Sequence, residues 1–199
     1  MPITPAQVEA AAVRWGLVDT VAPVFDRLAD YGNLLLRWNA HFALTAIRDK
    51  AELIERHIME GVFAAAHHPK ALTALDFGSG TGIPGVVIAL CRPEIHVTLA
   101  ESQRKKAAFL AEAVRHLRLN TVVHASRAET LPAASFDAVW MRAVEKTSVM
   151  LPAAAALPTS QGSLCFFGTA SSPDLQGWHW AAHPLLGSDV RVLYIGRRS

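Results

Sequence analysis

Cysteine is nearly absent from this 199-residue chain: Cys91 and Cys165 stand alone, without the close pairing of a metal or redox site. The first seven residues carry no basic run ahead of an apolar core, so no signal peptide is expected. Two isolated thiols without a secretion signal imply reduced cysteines and a cytoplasmic location. Long apolar runs are missing as well. The longest aliphatic stretch, residues 86–91, is far too short to span a bilayer. Charge is thin, with 18% charged residues and a net +2, and by itself does not mark a nucleic-acid protein. There is no internal repeat and no low-complexity tract.

What remains is globular composition, 51% hydrophobic, enough for a real core in one domain with a helical extension. The small charge is unevenly spread. Residues 1–60 hold six Lys/Arg against eight Asp/Glu, and residues 61–199 hold thirteen against nine. The basic part contains Arg104-Lys105-Lys106, Arg115-His116-x-Arg118 and Arg197-Arg198. Such clusters are candidates for pairing with phosphates, a solvated helix face being the plainer alternative.

Residues 1–69 read as helices. Thr4 is a plausible N-cap before Pro5, opening a helix through Val8, Ala11, Ala12 and Trp15. A longer helix carries Val21, Val24, Phe25, Leu28, Leu35 and Trp38 on one stripe. Asp49 caps a third, with Leu53, Ile54, Ile58, Val62 and Phe63. After His67-His68-Pro69, which reads as a linker, the period changes. Strands are expected at 72–77, 96–100, 121–124, 136–141 and 163–167. Helices at 84–91, 103–117 and 146–156 lie between several of them. A terminal pair, 178–184 and 190–197, suggests an antiparallel hairpin. This alternation predicts an α/β fold: a mostly parallel seven-stranded sheet over residues 70–199, wrapped by helices and preceded by the helical extension.

In such sheets ligands sit at the carboxyl ends of the strands. After the first expected strand comes Asp76-Phe-Gly78-Ser-Gly80-Thr-Gly82-Ile83-Pro84-Gly85, where glycine lets backbone lie close against a ligand. After the second comes Glu101, placed to accept from both hydroxyls of an adenosine ribose, an ordinary loop acid being the alternative. After the third come Ala128 and Glu129, placed to border an adenine. Gly80-Thr-Gly82-Ile-Pro-Gly85 formally matches the dinucleotide pattern, but there the first glycine follows the strand at once, and here Gly78-Ser79 intervene. Read from Asp76, D-x-G-x-G-x-G is the loop of Rossmann-like (class I) S-adenosylmethionine-dependent methyltransferases. On that reading Asp76, Gly78, Gly80 and Gly82 face the cofactor. No Gly-Lys-Ser/Thr follows, so the loop is not a P-loop.

Further phrases, in order, resemble the ribosomal RNA small-subunit methyltransferase G family, also called glucose-inhibited division protein B. They are Trp38-Asn39, Leu44-Thr45-x-x-Arg48-Asp49, Arg56-His57-Ile58, the loop with its trailing Pro84-Gly85, Glu101-Ser102-x-x-Lys105-Lys106-x-x-Phe109-Leu110, Arg127-Ala128-Glu129 and Arg142-Ala143. The resemblance implies transfer of a methyl group from S-adenosylmethionine to N7 of a guanine in 16S ribosomal RNA, free or within the small ribosomal subunit. It implies cofactor contacts at Gly78, Ile83, Ala128, Glu129 and Arg142. Three positions depart from the family pattern: Ala43 for asparagine, Glu60-Gly61 for Asp-Ser, and Gly168-Thr169 for Lys-Gly. A methyltransferase acting on another RNA or a small molecule, or a binding protein with a vestigial pocket, are the alternatives these departures leave open.

Guanine N7 carries a lone pair and no proton, so methylating it needs no general base. Catalysis then rests on orientation and electrostatics, with cations on phosphates rather than at the reacting atom. Arg142, at the end of the fourth expected strand, is the candidate bordering both cofactor and base, with an ion pair to Glu129 or Glu145 as the structural alternative. Arg56, His57, Arg127, Lys105 and Lys106 are candidates for positioning RNA; for His57 a satisfied interhelical histidine is equally open. Trp178 and Trp180 fit hairpin packing better than base stacking. His179 and His183 fall on a strand, so no metal is assigned. A monomer is the default.

Overall fold

The computed structural model describes residues 1–142, 147–169, 171 and 173–199. Ala143, Glu145 and Lys146, which entered the expectations above, lie outside the described residues. Helix α1 (Pro5–Trp15) starts as its capping sequence demands: Thr4 Oγ1 accepts from Gln7 N at 3.3 Å and Gln7 Oε1 from Thr4 N at 2.9 Å. The long helix expected next is broken. A short α2 (Val18–Val21) and a 3-10 turn (Ala22–Val24) precede α3 (Phe25–Phe42). Pro23 sits in that turn, and without an N–H it cannot continue an α-helical ladder.

Asp49 Oδ1 accepts from Glu52 N at 2.8 Å and starts α4 (Lys50–Leu53). The helix runs on through a π-helical stretch (Ile54–Met59) into α5 (Glu60–Ala66). The wider turn falls on Arg56 and His57, and such turns recur at functional sites.

From β1 (Thr73–Phe77) strand and helix alternate: α6 (Gly85–Cys91), β2 (His96–Ala100), α7 (Arg104–His116), β3 (Thr121–His124), β4 (Phe136–Arg142), α8 (Thr147–Ala155), β5 (Pro158–Gly168), β6 (Trp178–Pro184) and β7 (Val192–Arg198). The spatial order is β3-β2-β1-β4-β5-β7-β6, with β7 antiparallel to both neighbours and the other pairings parallel. The chain leaves β1 toward β2 and β3, then returns on the other side as β4. That reversal opens a crevice at the carboxyl ends of β1 and β4. Strand β1 is buried from Ala74 to Phe77 because helices cover both its faces. Alternation sends Ala74 and Asp76 to the α6 face, and Leu75 and Phe77 to the other. The expected linker is not free either: His68 is buried, its ring 5.5 Å from that of Trp140.

One hydrophobic cluster runs from Val8 and Leu28 through Ile58 to Val87, Leu99 and Leu193, so the N-terminal helices share their core with the sheet. Trp178 and Trp180 stack on each other, centroids 6.1 Å apart, against the second cluster on the opposite face. Among the described residues, no helix is long and apolar enough to cross a membrane. Both thiols are shielded: burial raises Cys165 and pushes Cys91 up to about 12. The close approach of α5 to α6 depends on Gly61, where an added Cβ would meet Val87 Cβ at 2.7 Å. Gly61→Val is expected to destabilise the protein by about 1–3 kcal/mol in urea unfolding; unchanged stability would mean that the two helices separate freely.

Candidate functional site

The crevice is a cavity of about 840 Å³, walled by the β1–α6 loop, the ends of β2 and β4, the turn after β3, residues 44–47 of the loop after α3, and Glu52, Arg56 and His57 of the helical segment that follows it. The loop leaves β1 at Phe77 and turns back over the strand edge, with Gly78, Gly80 and Gly82 all at positive φ. At Gly80 a Cβ would find nothing nearer than Gly78 O at 3.8 Å, so this glycine serves its left-handed turn (φ 57°), not close packing inside the protein.

Carboxylates hold the loop at both ends. Glu101 Oε2 accepts from Gly80 N at 2.9 Å, and its Oε1 accepts from Gln103 N at 2.7 Å. The loop is further tied to β2 by Ser79 N donating to Ala100 O at 2.9 Å. At the far end Asp76 Oδ2 accepts from Gly85 N at 3.0 Å. Gly85 is required there, since a Cβ would lie 2.6 Å from Asp76 Oδ2. Asp76 therefore faces α6 and does not line the cavity, contrary to a direct cofactor contact; its work is to hold the loop. Gly82 is also behind the surface, packed on Val86. Gly78, Gly80, Ile83, Glu101, Ala128, Glu129 and Arg142 do line the cavity.

Of the RNA-positioning candidates, Arg56, His57, Lys106 and Arg127 line the cavity and Lys105 does not. His57 is not the satisfied histidine of the structural alternative. It is buried, with Nδ1 and Nε2 both lacking a partner among the described residues. Burial, with Arg142 nearby, lowers it to about 4, so the imidazole is neutral at pH 7.

Among the described residues Arg142 does not pair with Glu129, and the expected alternative Glu145 lies outside those residues. Arg142 Nε and Nη2 donate to Glu60 Oε2 at 3.0 and 2.8 Å, and Nη2 also donates to Arg56 O at 2.6 Å. The other oxygen of Glu60 accepts from Arg191 Nη1. Burial lowers Arg142 to about 10, leaving it charged at neutral pH. Glu60 and Arg191 were missed as site residues. The only sign in the chain was Glu60 standing where the family pattern has aspartate; nothing pointed to Arg191, 131 residues away.

The sequence profile of the rRNA small subunit methyltransferase G family matches residues 25–175. The chain belongs to that family. It is 37% identical over 148 residues to a ribosomal RNA small subunit methyltransferase G of Halorhodospira halophila, covering 74% of this chain and 70% of the relative. It is 40% identical over 139 residues to the protein of that name from Xanthomonas euvesicatoria, covering 69% and 65%. Among solved structures, an O-methyltransferase from Bacillus cereus in complex with SAH superposes with a TM-score of 0.65 over 96% of this chain and 100% of the other. At 14% identity that likeness shows the fold, a class I methyltransferase architecture. Relative to the family pattern, Gly168 ends β5 opposite Val192, directly after Arg191, so the backbone of an arginine borders the strand end that lacks the lysine.

Asp76 supplies a pH-dependent test. Burial raises it from 3.8 to about 7, while the Gly85 bond opposes the shift. Between those values the folded carboxyl keeps a proton that the unfolded one has lost, so stability falls as pH rises through that window. Asp76→Asn retains an acceptor for Gly85 N and has no proton to lose. Chemical denaturation from pH 4 to 8 is expected to show the stability of the parent relative to Asp76→Asn declining with pH, by about 4 kcal/mol at most, the opposing contribution of His57 being common to both proteins; parallel curves would refute this.

Proposed function

We propose that the protein transfers a methyl group from S-adenosylmethionine to N7 of a guanine in 16S ribosomal RNA, as a cytoplasmic monomer. The observation that carries this is the meeting of the Gly78–Gly80 loop with Glu101 in one cavity, in a chain of the methyltransferase G family.

Glu101 binds the adenosine ribose. Each carboxylate oxygen already takes one backbone N–H and retains a lone pair for a ribose hydroxyl. Gly78, Gly80 and Ile83 pack against the methionine and ribose side, and Ala128 and Glu129 border the adenine. A dinucleotide fits poorly. The first amide of α6, which would face a pyrophosphate, is already held by the buried Asp76 carboxylate.

The target base enters beside Arg142, from the wall formed by residues 44–57. Residues 1–69 thus act as an extension that completes the cleft. Bound S-adenosylmethionine would supply the sulfonium methyl group, and guanine N7, with a lone pair and no proton, would need only to be positioned by this chain and not deprotonated. Cationic groups anchor phosphates at the rim. Arg104, Lys105 and Lys106 crowd the first turn of α7 with no acidic residue there, an arrangement the helix dipole opposes. Arg127 and Lys106 join that rim from inside the cavity.

Calorimetric titration is expected to show binding of S-adenosylmethionine and none of NAD, with Glu101→Ala weakening the former about 10- to 100-fold. Binding of NAD alone would overturn the reading. Lys106→Ala is expected to lower affinity for small-subunit RNA and reduce the slope of log affinity against log salt by about 1. An unchanged slope would remove Lys106 from the RNA surface.

A further inference from the structure

The buried ion cluster behind Arg142 has a consequence for how a base is read, and it rests on the N7-guanine reading above. A guanine offers two acceptors side by side, O6 and N7, and an unrestrained arginine takes both with a two-nitrogen fork. That fork is incompatible with methyl transfer to N7, because a donor on N7 occupies the lone pair that must attack. In this protein the fork is closed. Nε and Nη2 of Arg142 both donate to Glu60 Oε2, and the second hydrogen of Nη2 goes to Arg56 O. Among the described residues, Nη1 has no partner.

We propose that Glu60 is a positioning residue that holds Arg142 so that Nη1 alone donates to guanine O6, leaving N7 free to attack the methyl group. The other end of the clamp is Arg191, which engages the second oxygen of Glu60 and prevents the carboxylate from swinging away. Only 4% of the Glu60 side chain and 13% of that of Arg142 are exposed, so water does not loosen the pair. Glu60, shared between Arg142 and Arg191, also offsets part of their positive charge beside a purine that becomes cationic as the methyl arrives. The same geometry selects the base: an adenine presents an amino group where O6 would be, and two donors would then face each other. Arg56, adjacent in the wall, is paired with Glu52 at 3.3 Å, so two carboxylates answer three guanidiniums around the base site.

Removing the Glu60 side chain would leave two partly buried guanidiniums unanswered, so Glu60→Gln and Glu60→Asp are the useful variants. The assay is formation of 7-methylguanosine on small ribosomal subunits from cells lacking the gene, with S-adenosylmethionine affinity by calorimetry and thermal unfolding measured alongside. Glu60→Gln is expected to lower kcat about 10- to 100-fold with cofactor affinity held within about 2-fold. Glu60→Asp, which keeps the charge, is expected to recover most of that loss. Turnover by Glu60→Gln at the parental rate would overturn the proposal, as would a loss that follows the folded fraction. A loss of cofactor affinity with kcat intact at saturation would also overturn it, by placing Nη1 on the cofactor. If the parent protein itself forms no 7-methylguanosine, the N7 reading falls and the guanine assignment with it.

Discussion

A buried carboxylate accepting the first amide of a helix is the constraint on which the site depends. Asp76, next to last in β1, lies on the face that packs against α6, and its bond to Gly85 N fixes where α6 begins. With that point set, the chain between them has too few residues to wander and must turn back through left-handed glycines. The result is a loop of backbone laid across the mouth of the crevice, with Glu101 holding its other side. Burying Asp76 is costly, as its raised pKa and its Oδ1 without a partner among the described residues both record. The protein accepts that cost at the one place where loop geometry decides what can bind.

The second organising element joins segments far apart in the chain. Glu60 from α5, Arg142 from β4 and Arg191 before β7 meet behind the cavity, so the N-terminal helices are tied to the sheet by charge as well as by packing. The π-helical turn lies one turn before Glu60 and brings Arg56 and His57 to the wall. A neutral imidazole, without a partner among the described residues, and a half-restrained guanidinium therefore face the same space. That suits recognition of a neutral base by hydrogen bonds, with the phosphates handled by cations at the rim.

Much of this was legible in the chain. The strands at 96–100, 121–124 and 178–184 were read with their observed bounds, because their apolar runs are bounded by turn residues on both sides. The glycine loop and Glu101 stood out because backbone geometry and ribose chemistry restrict residue type locally. Longer-range features were harder. Pro23 was absorbed into a helical stripe that it interrupts, since apolar periodicity continues across it. Strand β5 reaches back to Pro158 through an irregular register with β4, where polar Thr159, Ser160 and Gln161 hide the strand pattern. Asp76 was read as facing the cofactor, whereas strand alternation turns it toward α6. Among the described residues the carboxylate that Arg142 meets is Glu60, 82 residues earlier in the chain, and not an acid near it in sequence. Such pairs are set by the fold and leave no local spacing to read.

The proposed reaction, delivery of a methyl group to guanine N7 of small-subunit RNA, leaves a covalent mark that can be counted. Nucleoside mass spectrometry of that RNA, from cells with and without the gene, tests it most directly. Deletion is expected to remove one 7-methylguanosine per small subunit, and the gene to restore it while an Arg142→Ala copy does not. Unchanged 7-methylguanosine in the deletion strain would contradict it.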